Sequence, residues 1–368
     1  MKKRLVLIGG GHAHMMVLAQ LRDIVDKGTE VTVVQPSAYH YYSGMGPGML
    51  GGTYTPDDIR FATQRVVESK GGSFVLGKAE RIDTARQVVV LKDGGELPYD
   101  VLSCNAGSYV PREVFGEGLS GVFTSKPIEE LLVARERILT LAREKTITVA
   151  VVGSGPSAVE IAGNVHQLCR REGVRPPRIE MFSGRGFMTG KPGRVGRLVR
   201  QVLEGKGIVI HDGGRVRRLG EGRVELEDGR EVAADLIFAA VGVKPSPIFA
   251  RSGLPVGPDG GLKVDRHLRA EGYENIFGGG DCIHFAPQPL DKVGVYAVRQ
   301  NPVLLHNLIA CLEGRPLQTF APGGSYLLIY NLGDGQGVLA KWSLAFSGKL
   351  AFAIKDWIDR RFIKTFQE

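Results

Sequence analysis

The chain is poor in cysteine. Its 368 residues include four cysteines, and no two of them stand in a CxxC or CxxxxC spacing. Zinc sites and redox dithiols depend on such paired spacings, and a disulfide framework needs more cysteines in a shorter chain. The sequence therefore predicts no metal site, a reducing cytoplasmic setting, and no dithiol that could take electrons from a cofactor.

Long apolar runs are also lacking. No stretch reaches the roughly 20 apolar residues that a membrane-spanning helix needs. Only residues 5–8 separate the basic start of the chain from the first glycines, which is too short for the core of a secretory signal. The net charge of +8 includes a basic cluster made of Arg185, Lys191, Arg194, Arg197 and Arg200. Stacking aromatic residues are not interleaved through this cluster, so nucleic-acid binding is not predicted.

Glycine, by contrast, is abundant, and its 51 residues fall in short bursts after apolar runs. The first burst is Gly9, Gly10 and Gly11, which follows an apolar strand and precedes the apolar run 15–21. This layout sets backbone N–H groups and a helix start against a pyrophosphate. The dinucleotide fingerprint wants a third Gly or Ala three residues later, and His14 stands there instead.

The same pattern of strand, glycine turn and helix then recurs. The run 147–152 enters Gly153, Gly155 and Ala158, which form a complete GxGxxA fingerprint. Each of the two stretches continues with a second strand, a meander with an Asp-Gly turn, and an apolar strand that ends in Gly, so the chain contains an internal duplication. We predict an α/β fold with two Rossmann-like dinucleotide-binding domains that carry β-meander insertions, followed by a small C-terminal strand-helix region. The predicted boundaries are 1–112 with 256–318, then 113–255, and finally 319–368.

Several further positions are typical of ligand contacts. Gln35 ends the second strand, where an acidic residue often binds a ribose, and the loop 39–49 combines glycines and tyrosines in a way that favours a cover over a planar ring. Asp281 follows a short strand and three glycines, where its carboxylate can accept hydrogen bonds from the hydroxyls of an extended ligand. In the second unit, Ser183 and Arg185 stand where an acidic residue would select NADH, so they suggest tolerance of a 2′-phosphate.

The C-terminal region differs in kind. Two short strands precede a helix with one apolar stripe, made of Leu350, Ile354, Trp357, Ile358, Phe362 and Phe366. Basic residues occupy much of the remaining surface of the helix. Such a helix either lies on a membrane surface, at the inner face of the cytoplasmic membrane, or packs as a lid on the protein or on a partner in a homodimer. The sequence leaves these alternatives open.

Two dinucleotide turns and a third ligand strand ending in Gly280-Asp281 resemble the two-dinucleotide-binding flavoproteins of the pyridine nucleotide-disulfide oxidoreductase superfamily. Within it, the segments 9–14, 42–48, 292–300 and 357–362 look most like two groups. One is the type II NADH dehydrogenases, and the other is the flavoprotein module fused to selenide, water dikinase.

The resemblance implies two cofactors, FAD and NADH or NADPH. It implies FAD contacts at Gly9, Gly11, His12, Ala13, Gln35, Tyr42, Ser43, Gly44, Met45, Gly107, Asp281 and Val293. It implies nicotinamide-cofactor contacts at Gly153, Gly155, Ala158, Ser183 and Arg185. Glu160 would lie close to the nicotinamide, and Lys292 would stabilise the charge of the reduced flavin ring.

The expected function is that of an FAD-dependent NAD(P)H dehydrogenase that passes electrons to a quinone or a similar acceptor without a redox disulfide. The chain departs from type II NADH dehydrogenases near the quinone site, where their glutamine pair is replaced by Val295, Tyr296 and Arg299. Two alternatives stay open. One is a stand-alone flavoprotein of selenium metabolism, and the other is a flavin-binding partner protein with little turnover.

Overall fold

The computed structural model describes residues 2–112, 118–342 and 344–367. The helices are α1 Met15–Ala19, α2 Leu21–Asp26, α3 Gly46–Leu50, α4 Pro56–Ile59, α5 Thr63–Ser69, α6 Glu129–Glu144, α7 Pro156–Arg171, α8 Gly193–Glu204, α9 Ile248–Arg251, α10 Gly294–Glu313 and α11 Lys349–Gln367. Short 3-10 turns occupy His12–His14, Ser43–Met45 and Gly280–Cys282.

The strands of the first part of the chain are β1 Arg4–Ile8, β2 Glu30–Gln35, β3 His40–Tyr41, β4 Arg60–Phe61, β5 Ser73–Leu76, β6 Ala79–Asp83, β7 Val88–Leu91, β8 Glu96–Pro98, β9 Val101–Cys104, β10 Ser108–Tyr109 and β11 Val122–Thr124. The later strands are β12 Thr148–Val152, β13 Arg178–Ser183, β14 Val209–Asp212, β15 Val216–Gly220, β16 Arg223–Leu226, β17 Glu231–Ala233, β18 Leu236–Ala239, β19 Lys244–Pro245, β20 Leu262–Val264, β21 Ile276–Gly278, β22 Ile283–Phe285, β23 Leu328–Asn331, β24 Gly337–Lys341 and β25 Leu344–Gly348.

The first large sheet is parallel and has the order β21-β9-β1-β2-β5. Its central strand β1 is almost entirely apolar and buried, as expected where helices cover both faces. In the register, Ile8 lies opposite both Val34 and Cys104. The segments that follow β1, β2, β9 and β21 therefore meet at one edge of the sheet, which is where ligands bind in such folds.

The second large sheet repeats this arrangement, with the order β11-β18-β12-β13-β14. All its neighbouring strands are parallel. Each sheet is accompanied by a three-stranded antiparallel meander, β6-β7-β8 in the first case and β15-β16-β17 in the second. The predicted fold class, two Rossmann-like units with β-meander insertions, is confirmed.

The C-terminal region forms the antiparallel sheet β23-β24-β25, against which α11 packs. It adds one strand, β25, to the two predicted. Tyr330, Val338 and Ile363 share a hydrophobic core with α6 and α7 and also with α3 and α4, so this region packs against both units. The predicted domain division remains a prediction, and its boundary between 112 and 113 adjoins 113–117, which lie outside the described residues.

The helical segment after the first glycine turn is divided, because α1 ends at Ala19 and α2 begins at Leu21. In the second unit, α7 runs unbroken for 16 residues from Pro156, with Gly155 as its N-cap. Proline at the first helical position supports that start, because its ring fixes a helical φ and it lacks an N–H group that would be unpaired there.

Candidate functional site

The first glycine turn leaves no room for side chains. Gly9 has a φ of +83°, and a Cβ atom on it would lie 2.4 Å from the carbonyl oxygen of Asn105. A Cβ on Gly10 would lie 2.4 Å from Cγ2 of Thr63, and one on Gly11 would lie 2.9 Å from Nδ2 of Asn105. The turn therefore requires glycine for both conformation and space.

His14 takes the place of the third glycine and holds the turn together. Its ring is fully buried, with Nδ1 at 2.5 Å from the carbonyl oxygen of Gly9 and Nε2 at 2.8 Å from Oγ of Ser103 in β9. Burial lowers the pKa of His14 to about 4, and the bond to Gly9 opposes this shift. The ring is therefore neutral and ties β1 to β9.

Gln35 also serves the turn. Its Oε1 accepts a hydrogen bond from the N–H of Gly10 at 2.9 Å, and its Nε2 donates to the carbonyl oxygens of Ser37 and Tyr39. Both ends of this amide are therefore hydrogen-bonded within the protein. The contact of Gln35 with a ribose stays a prediction.

The turn after β21 faces the first glycine turn. Ala13 is fully buried and fills the space beside Gly279, where a Cβ would lie 2.8 Å from the Cβ of Ala13. Asp281 lies beyond it, and its Oδ2 accepts hydrogen bonds from Oγ of Ser108 at 2.8 Å and from Nζ of Lys126 at 2.7 Å. Lys126, which follows β11 of the other sheet, was not predicted from any sequence motif.

Two buried polar atoms at this junction have no hydrogen-bond partner among the described residues. They are Nε2 of His12 and Nδ2 of Asn105. Buried polar groups are nearly always paired, so unpaired ones that line a glycine turn indicate that a polar ligand completes the site. The first glycine turn and these two unpaired groups together fit the diphosphate and ribityl portion of FAD.

His12 lies in an aromatic cluster that reaches the C-terminal helix. Its ring is 5.1 Å from the ring of Tyr42 and stacks on Phe362 at 5.8 Å, while its Nδ1 is 3.1 Å from Nε2 of His40. Burial lowers the pKa of His12 to about 4, and the charges of Asp281 and Lys126 act on it in opposite directions. His12 is therefore neutral at physiological pH.

The loop that follows β3 joins this cluster to a buried set of charges. Tyr42 donates to Oδ1 of Asp359 at 3.0 Å, and Lys355 bonds both Oδ2 of Asp359 and the carbonyl oxygen of Gly44. Lys355 and Asp359 are both buried and stand four residues apart on α11. Met45, which follows Gly44 in the chain, is fully buried, whereas Ser43 is half-buried.

Glu160 is half-buried and lies within electrostatic reach of Lys355. It lies on α7, and its Oε1 accepts a hydrogen bond from the N–H of Asn331 in β23 at 2.7 Å. Burial raises the pKa of Glu160 to about 7, although the positive charge of Lys355 works against the shift. A carboxyl group with this pKa can hold or release a proton near neutral pH.

The second glycine turn is more open. Gly153 has a φ of +125°, and its Cβ would lie 2.3 Å from the carbonyl oxygen of Ala240. A Cβ on Gly155, however, would meet nothing within 4 Å. Ala158 is buried against the sheet at the start of α7. An open turn at the N-terminus of a long helix fits the diphosphate of a nicotinamide cofactor.

The two residues predicted to reach a 2′-phosphate differ in access. Ser183 is fully buried, and its Oγ donates to Oγ of Ser154 at 3.0 Å. Arg185 is exposed beyond the end of β13. Of the pair, only Arg185 has a side chain at the surface.

Lys292 lies just before α10, and its side chain forms an ion pair with Asp259. Its Nζ is 2.7 Å from Oδ2 of Asp259 and also bonds the carbonyl oxygen of Ile283. Val293 caps α10, and Gly107 lies in the loop after β9 with a φ of +65° and open space around it. The flavin-stabilising role of Lys292 remains a prediction.

Cys104 and Cys282 are fully buried. Burial raises the pKa of Cys282 to about 12 and that of Cys104 well above its ordinary value. Since the thiolate is the reactive form, neither side chain is available for exchange chemistry near neutral pH.

The apolar stripe of α11 faces outward over much of its length. Ala351, Lys355, Asp359 and Ile363 are the buried positions, whereas Leu350 is 66% and Trp357 61% exposed. At the tip of the preceding hairpin, Trp342 is 76% exposed. No described helix is both long enough and apolar enough to cross a membrane.

Residues 3–306 match the pyridine nucleotide-disulphide oxidoreductase family, and the chain belongs to it. The family uses FAD and NADH or NADPH, so the protein is an FAD-dependent oxidoreductase. The prediction of this family is confirmed.

Two curated relatives extend over nearly the whole chain. Ferroptosis suppressor protein 1 of Taeniopygia guttata is 28% identical over 346 residues, covering 91% of this chain and 88% of that protein. The type II NADH:quinone oxidoreductase of Staphylococcus saprophyticus is 25% identical over 391 residues, covering 98% and 95%. Neither is the module fused to selenide, water dikinase, and the selenium alternative is not favoured.

Solved structures show the same fold. The sulfide:quinone oxidoreductase of Aquifex aeolicus superposes with a TM-score of 0.82 at 19% identity, over 99% of this chain and 91% of that chain. NDH2 of Plasmodium falciparum, solved with NADH, gives a TM-score of 0.82 at 14% identity, over 100% and 99%.

Proposed function

We propose that the protein is an FAD-dependent NAD(P)H dehydrogenase that passes electrons to a quinone without a redox disulfide. The observation that carries the proposal is the position of half-buried Glu160, on the helix of the second glycine turn, within electrostatic reach of the buried ion pair of Lys355 and Asp359 on the C-terminal helix. The similarity to a type II NADH:quinone oxidoreductase over nearly the whole chain supports the same function.

NAD(P)H reduces a quinone by giving up a hydride and becomes NAD(P)⁺. The quinone gains this hydride and one further proton and becomes the quinol. When bound, FAD would supply a ring that can accept the hydride and pass its two electrons to the quinone. The main chain at Gly153 and Gly155 holds the nicotinamide cofactor, and Glu160 holds a proton. Lys355 compensates the charge of Glu160 after that proton has left.

The test is anaerobic reduction of the purified protein followed by a panel of acceptors. We expect a yellow protein whose flavin absorbance is bleached by NAD(P)H and restored by ubiquinone or menaquinone analogues faster than by sulfide-derived or selenium compounds. A yellow protein that no nicotinamide bleaches would identify a flavin-binding protein without turnover. A colourless protein that takes up no added FAD would overturn the proposal.

We further propose that the C-terminal region lies on a membrane surface, at the inner face of the cytoplasmic membrane. Trp342, Leu350 and Trp357 expose apolar area, and a cation lies over each indole ring, Lys341 over Trp342 and Arg361 over Trp357. Aromatic and basic side chains together are typical of surfaces that lie in the headgroup layer.

Flotation with liposomes tests this surface. We expect the full chain to float with anionic liposomes and less with neutral ones, and the double variant Trp342→Ser with Trp357→Ser to stay at the bottom. The matched control is Tyr39→Ser, since Tyr39 is exposed elsewhere. Equal recovery of both proteins would contradict the proposal, and a change from dimer to monomer in the variant would assign the surface to a homodimer instead.

A further inference from the structure

The junction between the first glycine turn and Asp281 contains side chains that no fingerprint includes. Asn105 follows β9 and lies between two glycine turns: a Cβ on Gly11 would be 2.9 Å from its Nδ2, and a Cβ on Gly280 would be 2.8 Å from its Oδ1. The Nδ2 atom is buried and has no partner among the described residues. The glycines thus make space for an amide whose donor remains available.

Lys126 reaches the same junction from the other sheet. It comes two residues after β11, and its Nζ lies 2.7 Å from both Oδ2 of Asp281 and Oγ of Ser108. Its charge also lowers the pKa of His12 and His40, after the larger effect of burial. One ammonium group therefore faces the region between the first glycine turn and the turn after β21.

The donors gathered here suit one kind of ligand. Nδ2 of Asn105 is a donor without a partner among the described residues, Nε2 of His12 is an unpaired ring nitrogen, and Nζ of Lys126 pairs with Oδ2 of Asp281. Phosphate oxygens accept hydrogen bonds from such donors, and ribityl hydroxyls donate hydrogen bonds to such a carboxylate. An apolar ligand would leave the donors unpaired, and a simple anion would face Asp281.

We propose that Asn105 and Lys126 are FAD-binding residues for the diphosphate and ribityl portion, and that Lys126 thereby links FAD in the first unit to the second unit. The inference rests on the proposed function for the identity of the cofactor. It assigns side-chain contacts in addition to the main-chain contacts of the glycine turn, at a site where Gln35 is occupied within the protein.

Release of FAD from the purified holoprotein on dilution, followed by flavin fluorescence, tests the proposal. We expect Lys126→Met to weaken FAD binding about tenfold and Lys126→Arg to restore most of it. Asn105→Ala should weaken it roughly fivefold, and Asn105→Asp, which places a second negative charge at the junction, roughly a hundredfold. The graded effect of the two Asn105 variants would not arise from packing alone.

The matched control is Lys145→Met. Lys145 also forms an ion pair with an aspartate, Asp235, at 2.5 Å, but at the opposite end of the second sheet. FAD affinity in this control should equal that of the parent protein. Unchanged affinity in Lys126→Met and in both Asn105 variants would overturn the inference while the dehydrogenase proposal stood, and normal FAD binding without quinone reduction would overturn only the latter.

Discussion

The two glycine turns have the same place in their sheets but very different surroundings. In the first, Gly11 has a φ of −77°, and a Cβ on it would press on Asn105 and His40. In the second, Gly155 has a φ of −79°, and a Cβ on it would meet nothing. The same backbone conformation is thus enclosed in one unit and open in the other.

This difference matches the two kinds of ligand. A resident cofactor gains from a turn enclosed by neighbouring elements, such as α10, whose Asn301 donates to the carbonyl oxygen of His12 at 2.5 Å. A cosubstrate that must leave in every cycle needs a turn that opens to solvent. We infer that the first unit keeps its ligand and the second exchanges it.

The sharpest way to break the comparison is the pair of variants Gly11→Ala and Gly155→Ala. We expect Gly11→Ala to lose its FAD on purification and to lower the free energy of unfolding by about 1–3 kcal/mol, because the methyl group overpacks the turn. Gly155→Ala should keep FAD and its stability, and should raise only the KM for NAD(P)H. Flavin content, thermal unfolding and steady-state kinetics measure these effects. Equal FAD loss in both variants would contradict the distinction.

Glu160→Gln gives the next largest effect. We expect kcat to fall roughly a hundredfold at unchanged FAD content, because the proton donor is lost. In the parent protein, burial raises the pKa of Glu160 from its ordinary value of 4.5 to about 7, so the folded state binds more protons than the unfolded state between these two pH values.

The contribution of Glu160 to stability is therefore greatest below pH 4.5 and declines as the pH rises through 7. The decline amounts to about 3 kcal/mol at most. The unfolding midpoint of Glu160→Gln should fall less than that of the parent protein between pH 5 and pH 8. A parallel fall in both proteins would show that Glu160 does not titrate in this range.

The smallest effect concerns the choice of nicotinamide cofactor. We expect Arg185→Glu to raise the KM for NADPH roughly tenfold and to leave that for NADH nearly unchanged, because Arg185 is the exposed cation at the end of β13. Arg194→Glu, on the exposed face of α8, serves as the control for a general change in surface charge. Equal KM values for NADPH in Arg185→Glu and the parent protein would remove the assignment.

The sequence predicted the repeated strand-turn-helix units because their signals are local. Apolar runs, glycine bursts and Asp-Gly turns each lie within a few residues. It did not predict Lys126 and Lys355 at the site, because these residues meet their partners 155 and 311 positions away in the chain. Contacts between residues so far apart in the chain produce no periodic pattern in the sequence.

The C-terminal helix shows a second limit. Its apolar stripe was visible, but which face packs inward was not. The inward face carries Lys355 and Asp359, since their ion pair and its bonds to Tyr42 and Gly44 satisfy both charges in the interior. A buried pair of this kind reads from sequence as part of a solvated face.

His14 has a consequence for the evolution of the first unit. Its ring bonds Ser103, 89 positions along the chain, at the place where the fingerprint would have a glycine. A homologue with glycine at position 14 has no ring to bond and no need of a hydroxyl at position 103, whereas one with histidine needs both. Positions 14 and 103 should therefore change together across the lineage, which makes the pair a marker for this variant of the turn.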